Sequence, residues 1–437
     1  MNSKEIFNHI YELFEKQKVD YVILHSYRKL PEQFDTDIDT AISVAKIQDA
    51  IDLLDKTLNG TGWRVIQYWR HENYAADCVI SNDIEFLQVD FCTHYERNGR
   101  VVMSVEELVS NRQKYKNFYV PSCQTQFIYI LVKKILKKKF SDGSREQLTT
   151  LWKNMSGSDQ EAIKKSLLRF LGNKVINDIV AKIETSNYDS IDLMLAHQEL
   201  LKKTSGFISN LHYKIFDTKR KIDRILHPTG LFIVLLGVDG AGKTTISDQL
   251  MKRYITAFRR INHYHSRVRI LKDISQMKSG AEPIDASHPH GKKHKAGKIV
   301  SVVKFGYYFL DFLIGNAIIT KAKIRSSLVL VERYYYDYTI DKVRYNLNLS
   351  DGFLKFFGHF IKKPDAIFVL TGDSKILLKR KYEITIEEIN EQKRRLENAF
   401  CSNKHAVFID TTNTTVDDCV NKMLKKCNDI MRGRRKW

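Results

Sequence analysis

Leu231-Phe-Ile-Val-Leu-Leu-Gly-Val-Asp-Gly-Ala-Gly-Lys-Thr-Thr245 decides the fold of the C-terminal half. An apolar run suited to a buried strand ends at Gly237. Gly237, Gly242, Lys243 and Thr244 then follow the spacing G-x-x-x-x-G-K-[ST], with Val238, Asp239, Gly240 and Ala241 between them. From Thr245 onward, Ile246-Ser-Asp-Gln-Leu250 begins a helical pattern. Strand, glycine loop and helix in this order form a phosphate-binding context. Backbone N–H groups close around the phosphates, and the helix N-terminus adds donors and partial positive charge. Lys243 is expected to reach the terminal phosphates and Thr244 to ligand Mg²⁺ through its hydroxyl.

The 437 residues exceed one ordinary core, so two or three domains are expected. A hydrophobic content of 43% with 28% charged residues describes a globular chain. The N-terminus reads as an amphipathic helix rather than a signal peptide, and no apolar run reaches the length of a membrane span. Six cysteines without paired metal spacing fit reduced thiols in a cytoplasmic protein. The net charge of +20 suits anionic substrates, and equally nucleic acid or an anionic membrane surface.

Within residues 1–115, Ile6, Phe7, Ile10, Leu13 and Phe14 recur at helical spacing. Asp20-Tyr-Val-Ile-Leu-His25 reads as a strand, and Asp35-Thr-Asp-Ile-Asp-Thr-Ala-Ile-Ser43 as a second. Alternation puts Asp35, Asp37 and Asp39 on one face. Asp90 lies in the apolar strand Ile84–Cys92, where an unpaired carboxylate is costly. If the strands are adjacent, Asp37, Asp39 and Asp90 converge, and a divalent cation relieves their repulsion. Ser26, Asp37-Ile38-Asp39 and Asp90 resemble the pattern of the nucleotidyltransferase superfamily, with His25 standing where that family usually has Gly. The resemblance implies that Asp37 and Asp39 hold metal ions, that Asp90 helps to activate the acceptor, and that Ser26 belongs to the nucleotide site.

Residues 116–228 read as a helical connector. Phe127, Ile128, Ile130, Leu131, Ile135 and Leu136 form an apolar stripe beside Lys133, Lys134, Lys137, Lys138 and Lys139. A solvated basic face on a packed helix is the expectation for these lysines. His227-Pro-Thr-Gly230 ends the connector.

Residues 229–437 continue the phosphate-loop domain. Asn262-His-Tyr-His-Ser-Arg267, Ser327-Leu-Val-Leu-Val-Glu332, Ala366-Ile-Phe-Val-Leu-Thr371 and Ala406-Val-Phe-Ile-Asp410 read as further strands. Residues 272–298, with His288, His290 and His294, read as a basic loop rather than a metal site. Glu332-Arg333 at a strand C-terminus lies where open parallel sheets bind ligands. A carboxylate and a guanidinium there suit Mg²⁺ and a transferring phosphoryl group. Arg380 and Lys381 reach phosphates if their segment closes as a lid. The tail Arg432-Gly-Arg-Arg-Lys-Trp437 reads as a frayed end.

Gly237–Thr245 and Glu332-Arg333-Tyr334, followed by a basic lid, resemble thymidylate kinases over roughly the last 200 residues. The resemblance implies a five-stranded parallel sheet and phosphoryl transfer from ATP with Mg²⁺. It places Asp239 near the transferring phosphates and makes Arg333 the bridge between donor and acceptor. Leu236 and Glu332 depart from the family pattern, and His265-Ser-Arg267 stands near the place of its acceptor-binding segment.

The expected architecture is therefore α/β: an α+β nucleotidyltransferase-like domain, a helical connector and a phosphate-loop kinase domain. The expected activity is ATP- and Mg²⁺-dependent phosphorylation of a small anionic acceptor facing Asp239, His265 and Arg267. Lys243 and Arg333 are the catalytic cations, and Thr244 and Glu332 the metal side. Nucleotidyl transfer at the N-terminal site is a second expected activity. The whole arrangement resembles bacterial proteins associated with surface-polysaccharide genes. The alternatives are a true thymidylate kinase with an accessory domain, a nucleic-acid end-processing kinase and a non-enzymatic ATP switch. A homodimer is an open assembly state, and nucleic acid is the disfavoured partner.

Overall fold

The structure, a computed structural model, describes residues 1–97, 99–204, 207–268, 270–271, 297–382 and 384–434. The chain divides into two compact units, Met1–Asn82 with Leu87–Asp223, and Asp83–Phe86 with Arg224–Trp437.

The first unit opens with α1 (Ser3–Lys16), whose N-terminus is closed by a reciprocal cap between Asn2 and Glu5. Strands β1 (Tyr21–Ile23) and β2 (Ile38–Ile42) pair antiparallel. Helix α2 (Ile47–Thr57) leads to β3 (Arg64–Glu72), β4 (Ala75–Ser81) and β5 (Phe86–Cys92). The sheet order is β1-β2-β5-β4-β3. β2 and β5 run parallel with Asp39 opposite Asp90. The chain passes from a sheet-bound acidic motif to a later strand and returns it to the motif's side, which is what brings the carboxylates together.

Two hairpins follow, β6 (His94–Arg97) with β7 (Arg100–Ser104) and β8 (Gln113–Tyr115) with β9 (Phe118–Val120), separated by the short α3 (Val105–Val109). The helical segment comprises α4 (Cys123–Lys137), α5 (Asp142–Asn154), α6 (Gly157–Leu167), α7 (Asn173–Glu184) and α8 (Leu193–Thr204). Its core is the apolar stripe read from the sequence: Phe127, Leu131 and Ile135 are fully buried, and Phe127 packs on Trp152. Helix α9 (Phe207–Leu226) follows.

The second unit is built on β10 (Leu231–Gly237), then α10 (Lys243–Arg253), β11 (Arg260–His265), α11 (Lys298–Ile324) and β12 (Ser327–Glu332). Short helices α12 (Asp337–Ile340), α13 (Lys342–Tyr345) and α14 (Asp351–Gly358) precede β13 (Ala366–Thr371). Then come α15 (Ser374–Arg380), α16 (Ile386–Phe400), β14 (Ala406–Asp410) and α17 (Val416–Gly433). All neighbouring strands are parallel, in the order β11-β12-β10-β13-β14. The fully buried β10 is central, so the loop after it opens at the middle of the sheet's C-terminal edge.

Two sequence expectations meet the structure here. Among the described residues one helix, α11, is long and apolar enough to cross a membrane by length and composition alone. Lys304 and Asp311 interrupt its apolar run. Its Phe305, Phe312 and Ile319 are buried in the core of this unit, while Ile299, Val303 and Leu310 are exposed. The tail is also held at Arg434, which donates to the Gly230 carbonyl at 2.9 Å and pairs with Asp365 at 2.5 Å. The loop read at 272–298, with its three histidines, lies outside the described residues up to 296.

Candidate functional site

The phosphate loop takes its shape from positions that exclude side chains. Gly240 has φ +78°, and a Cβ there would collide with the Leu377 carbonyl of α15 and approach Lys381. Gly237 has φ +153°, and a Cβ would lie 2.6 Å from the Leu370 carbonyl. Both demand glycine. Ala241 and Val238 are buried, and Gly242 turns the chain into α10 with φ +79°.

Lys243 is buried, and its ammonium donates to the carbonyls of Gly237 at 2.9 Å and Val238 at 2.8 Å. Burial pushes its pKa down to about 8, against the opposing pull of Asp337 and Glu332. Thr244 and Thr245 are exposed at the start of α10. Thr244 Oγ1 lies 3.3 Å from Glu332 Oε2. A hydroxyl facing a carboxylate beside a phosphate cradle is a donor set that fits Mg²⁺.

Glu332, almost fully buried, also accepts from Ser247 at 2.7 Å and engages His263 at 3.0 Å and His265 at 3.4 Å. Burial favours its neutral form, but the hydrogen bonds from His263, His265 and Ser247 outweigh burial and hold the carboxylate ionised. The same contact with Glu332 raises the pKa of His263.

Arg333 follows β12 with φ +54°, an uncommon conformation for a side chain of this size. Its guanidinium binds the Asp239 carboxylate and reaches Asp337 at 3.4 Å. Arg344 binds the other oxygen of Asp239 and donates to Asp341 at 3.0 Å. Asp239 also lies 3.8 Å from the Lys243 ammonium. Three cations thus converge on one acidic residue inside the loop.

The expected acceptor residues separate. His265 stays half exposed on Glu332, whereas Arg267 is buried, donates to Asp311 of α11 at 2.9 Å and stacks over Tyr308. Arg380 donates to the Thr411 carbonyl at 2.9 Å, so its guanidinium lies at the end of β14. Lys381, one residue on, brings its Cβ close to Gly240. Sequence reasoning missed Arg344, His263 and Ser247. Strand alternation could have found His263, two residues from His265 on the same face. Arg344 carries no local signal.

The first unit holds a second constellation. Ligand atoms of Asp37, Asp39 and Asp90 all lie within 4.8 Å of one another. Burial raises the Asp90 pKa strongly, and the charges of Asp77, Asp37 and Asp39 add to it. Asp39 pairs with His25 at 2.8 Å, and His25 Nδ1 lies 3.1 Å from Ser26 Oγ. Asp35 is drawn away by Lys29 at 2.7 Å and by Gln33. Three carboxylates with converging ligand atoms, one of them also paired with His25, fit a divalent cation.

No family model matches the chain. It is 25% identical over 205 residues to a probable thymidylate kinase of Methanocaldococcus jannaschii, covering 46% of this chain and 97% of that protein. Among solved structures, thymidylate kinase of Candida albicans matches at 14% identity with a TM-score of 0.35, over 46% of this chain and 93% of that one. Thymidylate kinase of Ehrlichia chaffeensis matches at 16% identity and 0.33, over 46% and 98%. Similarity to thymidylate kinases therefore extends over about 46% of the chain.

Proposed function

We propose that the second unit is a phosphotransferase that moves the terminal phosphoryl group of ATP to a small anionic acceptor. The observation that carries this reading is the convergence of Arg333, Arg344 and Lys243 on Asp239, within the phosphate loop. A generic phosphate loop needs only its backbone and lysine. Two further guanidiniums at the loop's mouth suit a reaction in which donor and acceptor phosphates meet.

In this reading the N–H groups of Gly237–Thr245 cradle the donor phosphates. Lys243 leaves the carbonyls of Gly237 and Val238 for the terminal phosphate. Arg333 and Arg344 neutralise the acceptor and the transferring group, and Asp239 sets their positions. Mg²⁺, held by Thr244 with Glu332 assisting, would supply charge neutralisation at the phosphates. The acceptor oxygen bonds to the terminal phosphorus, the bridging P–O bond breaks, and the diphosphate leaves with its electron pair. A phosphomonoester acceptor is largely deprotonated near neutral pH, so electrostatics rather than a general base carries the step. His265 lines the acceptor side, and Arg267 fixes the segment that carries it.

Thymidylate is the acceptor that the archaeal relative's name suggests, and a true thymidylate kinase with an accessory domain is the alternative reading. Incubation with ATP, Mg²⁺ and a panel of dTMP, other nucleotides, sugars, alditols and oligonucleotides separates them. Product from a phosphorylated member that disappears in Lys243→Ala supports this reading, and product from a neutral sugar or alditol alone would keep the kinase and overturn the anionic acceptor. ATP bound without product from any acceptor would favour an ATP switch.

A second reading concerns the first unit. The convergence of Asp37, Asp39 and Asp90 favours metal-dependent nucleotidyl transfer there. Pyrophosphate release that depends on Asp37 and Asp39 tests it. A cytoplasmic precursor pathway for a surface polysaccharide suits both activities together.

A further inference from the structure

Helix α9 is turned inside out. Its half-buried residues include Tyr213, Asp217, Arg220 and Arg224, which recur at helical spacing, so the face it turns inward is mostly polar. The opposite face carries Leu211, Ile215, Ile222, Ile225 and Leu226, each between 50% and 65% exposed. With the exposed Thr218 these positions fall on one stripe, about 22 Å long from Leu211 to Leu226. A helix ordinarily buries such a stripe, and a contiguous apolar strip left in water marks an interaction surface.

The charge around the stripe says what covers it. Exposed lysines border it on both sides, Lys214 and Lys221 along one edge and Lys219 along the other. Lys221 pairs with Asp217 at 2.6 Å, and Asp217 also binds Arg220. Lys214 and Lys219 form no ion pair among the described residues. Across α9, Lys214, Lys219, Arg220, Lys221 and Arg224 stand against Asp217 and Asp223 alone, in a chain of net charge +20. The partner is therefore anionic.

A second copy of the chain fits poorly. Leu211, Ile215, Thr218, Ile222 and Ile225 follow the alternating spacing of a paired helix, but they span about two heptads, fewer than a coiled coil sustains. Two α9 helices laid together in either direction also set lysine edge against lysine edge. The same shortness counts against an acidic helix from another protein. An anionic lipid surface needs no register. Apolar side chains enter the acyl boundary, while the lysine stems lie along it and carry their ammonium groups to the headgroup phosphates. Five cations within 20 residues also mean that α9 lies on a bilayer and does not span one.

We propose that α9 docks the protein onto a membrane surface of anionic lipid, with Leu211, Ile215, Ile222, Ile225 and Leu226 in the interface and Lys214, Lys219 and Lys221 at the headgroups. The inference is independent of both activities proposed above, because no residue of the stripe or its edges belongs to either site.

The test sediments the full chain with sucrose-loaded vesicles of phosphatidylcholine alone, and of equal parts phosphatidylcholine and phosphatidylglycerol. The protein binds the mixed vesicles at least about tenfold more tightly than the neutral ones. Ile215→Glu combined with Ile222→Glu weakens that binding by about tenfold or more. Lys214→Ser combined with Lys219→Ser weakens it by about tenfold on mixed vesicles and changes little on neutral ones. The substituted side chains are all exposed, so unchanged melting and phosphoryl transfer confirm that each variant is folded. No vesicle binding, equal binding to both vesicle types, or binding indifferent to the isoleucine pair overturns the proposal. Self-association in the ultracentrifuge that the isoleucine pair abolishes, without vesicle binding, overturns it in favour of a second copy.

Discussion

The guanidinium of Arg333, just past one strand of the parallel sheet, is bound to the carboxylate of Asp239 inside the phosphate loop of its neighbour. The pair joins the two sheet-edge segments that must act together, and it holds a cation ready without any ligand. Arg333→Ala is expected to lower kcat/KM by roughly 10³, the scale of a guanidinium that meets transition-state charge. Steady-state kinetics with the acceptor identified by the panel check this. A variant within threefold of wild type would remove Arg333 from the chemistry.

Asp239→Asn keeps the volume and removes the charge that positions Arg333 and Arg344. Its kcat should fall about 10²-fold, with ATP binding changed much less. A KM-against-kcat split reads this out: an effect confined to the KM for ATP would assign Asp239 to nucleotide binding alone.

Gly240→Ala places a methyl group against the Leu377 carbonyl in a conformation that disfavours side chains. The variant should lose about 1–3 kcal/mol of stability and bind ATP more weakly, because α15 must shift. Urea denaturation and nucleotide titration measure both. Unchanged values would mean that loop and lid are not packed together.

Asp365 holds β10 at its start: it accepts from the Phe232 N–H at 2.8 Å and pairs with Lys323 at 2.8 Å and with Arg434. Burial opposes its ionisation, but Arg434 and Lys323 outweigh that and depress its pKa. A depressed carboxylate contributes stability that is present above its unfolded value near 4 and is lost as pH falls through the folded value. Asp365→Asn should therefore cost about 3 kcal/mol at pH 7 and progressively less below pH 4. Melting curves across pH 3–8 would refute this if the difference between the two proteins stayed constant.

Asp90→Asn relieves repulsion within the carboxylate trio. In chelator it should melt higher by about 2–4 °C, the shift that about 1 kcal/mol produces in a unit of this size. Addition of Mn²⁺ should stabilise the wild type more than the variant. Equal stabilisation of both by Mn²⁺ would remove Asp90 from the ligands of the ion.

Much of this was legible in the chain because the informative features are local. The run Leu231–Thr245 carries strand, loop and helix signals in sequence, and Glu332-Arg333 ends an unmistakable apolar run. Asp37, Asp39 and Asp90 were legible because alternation and one assumed strand pairing suffice to bring them together. Arg344 was not, because its role depends on where α13 packs. The burial of Arg267 was not legible, because its partner, Asp311, sits within a helix that reads as mostly apolar.

Arg333 adopts a backbone conformation that glycine or asparagine would accept with less strain. The ion pairs of Arg333 with Asp239 and Asp337 hold that conformation in place. In the proposed transfer reaction the same guanidinium would meet the phosphoryl group, so activity and stability can be separated at this position. Replacements that silence transfer should include some that fold as well as the native chain or better, a signature that separates selection for activity from selection for structure.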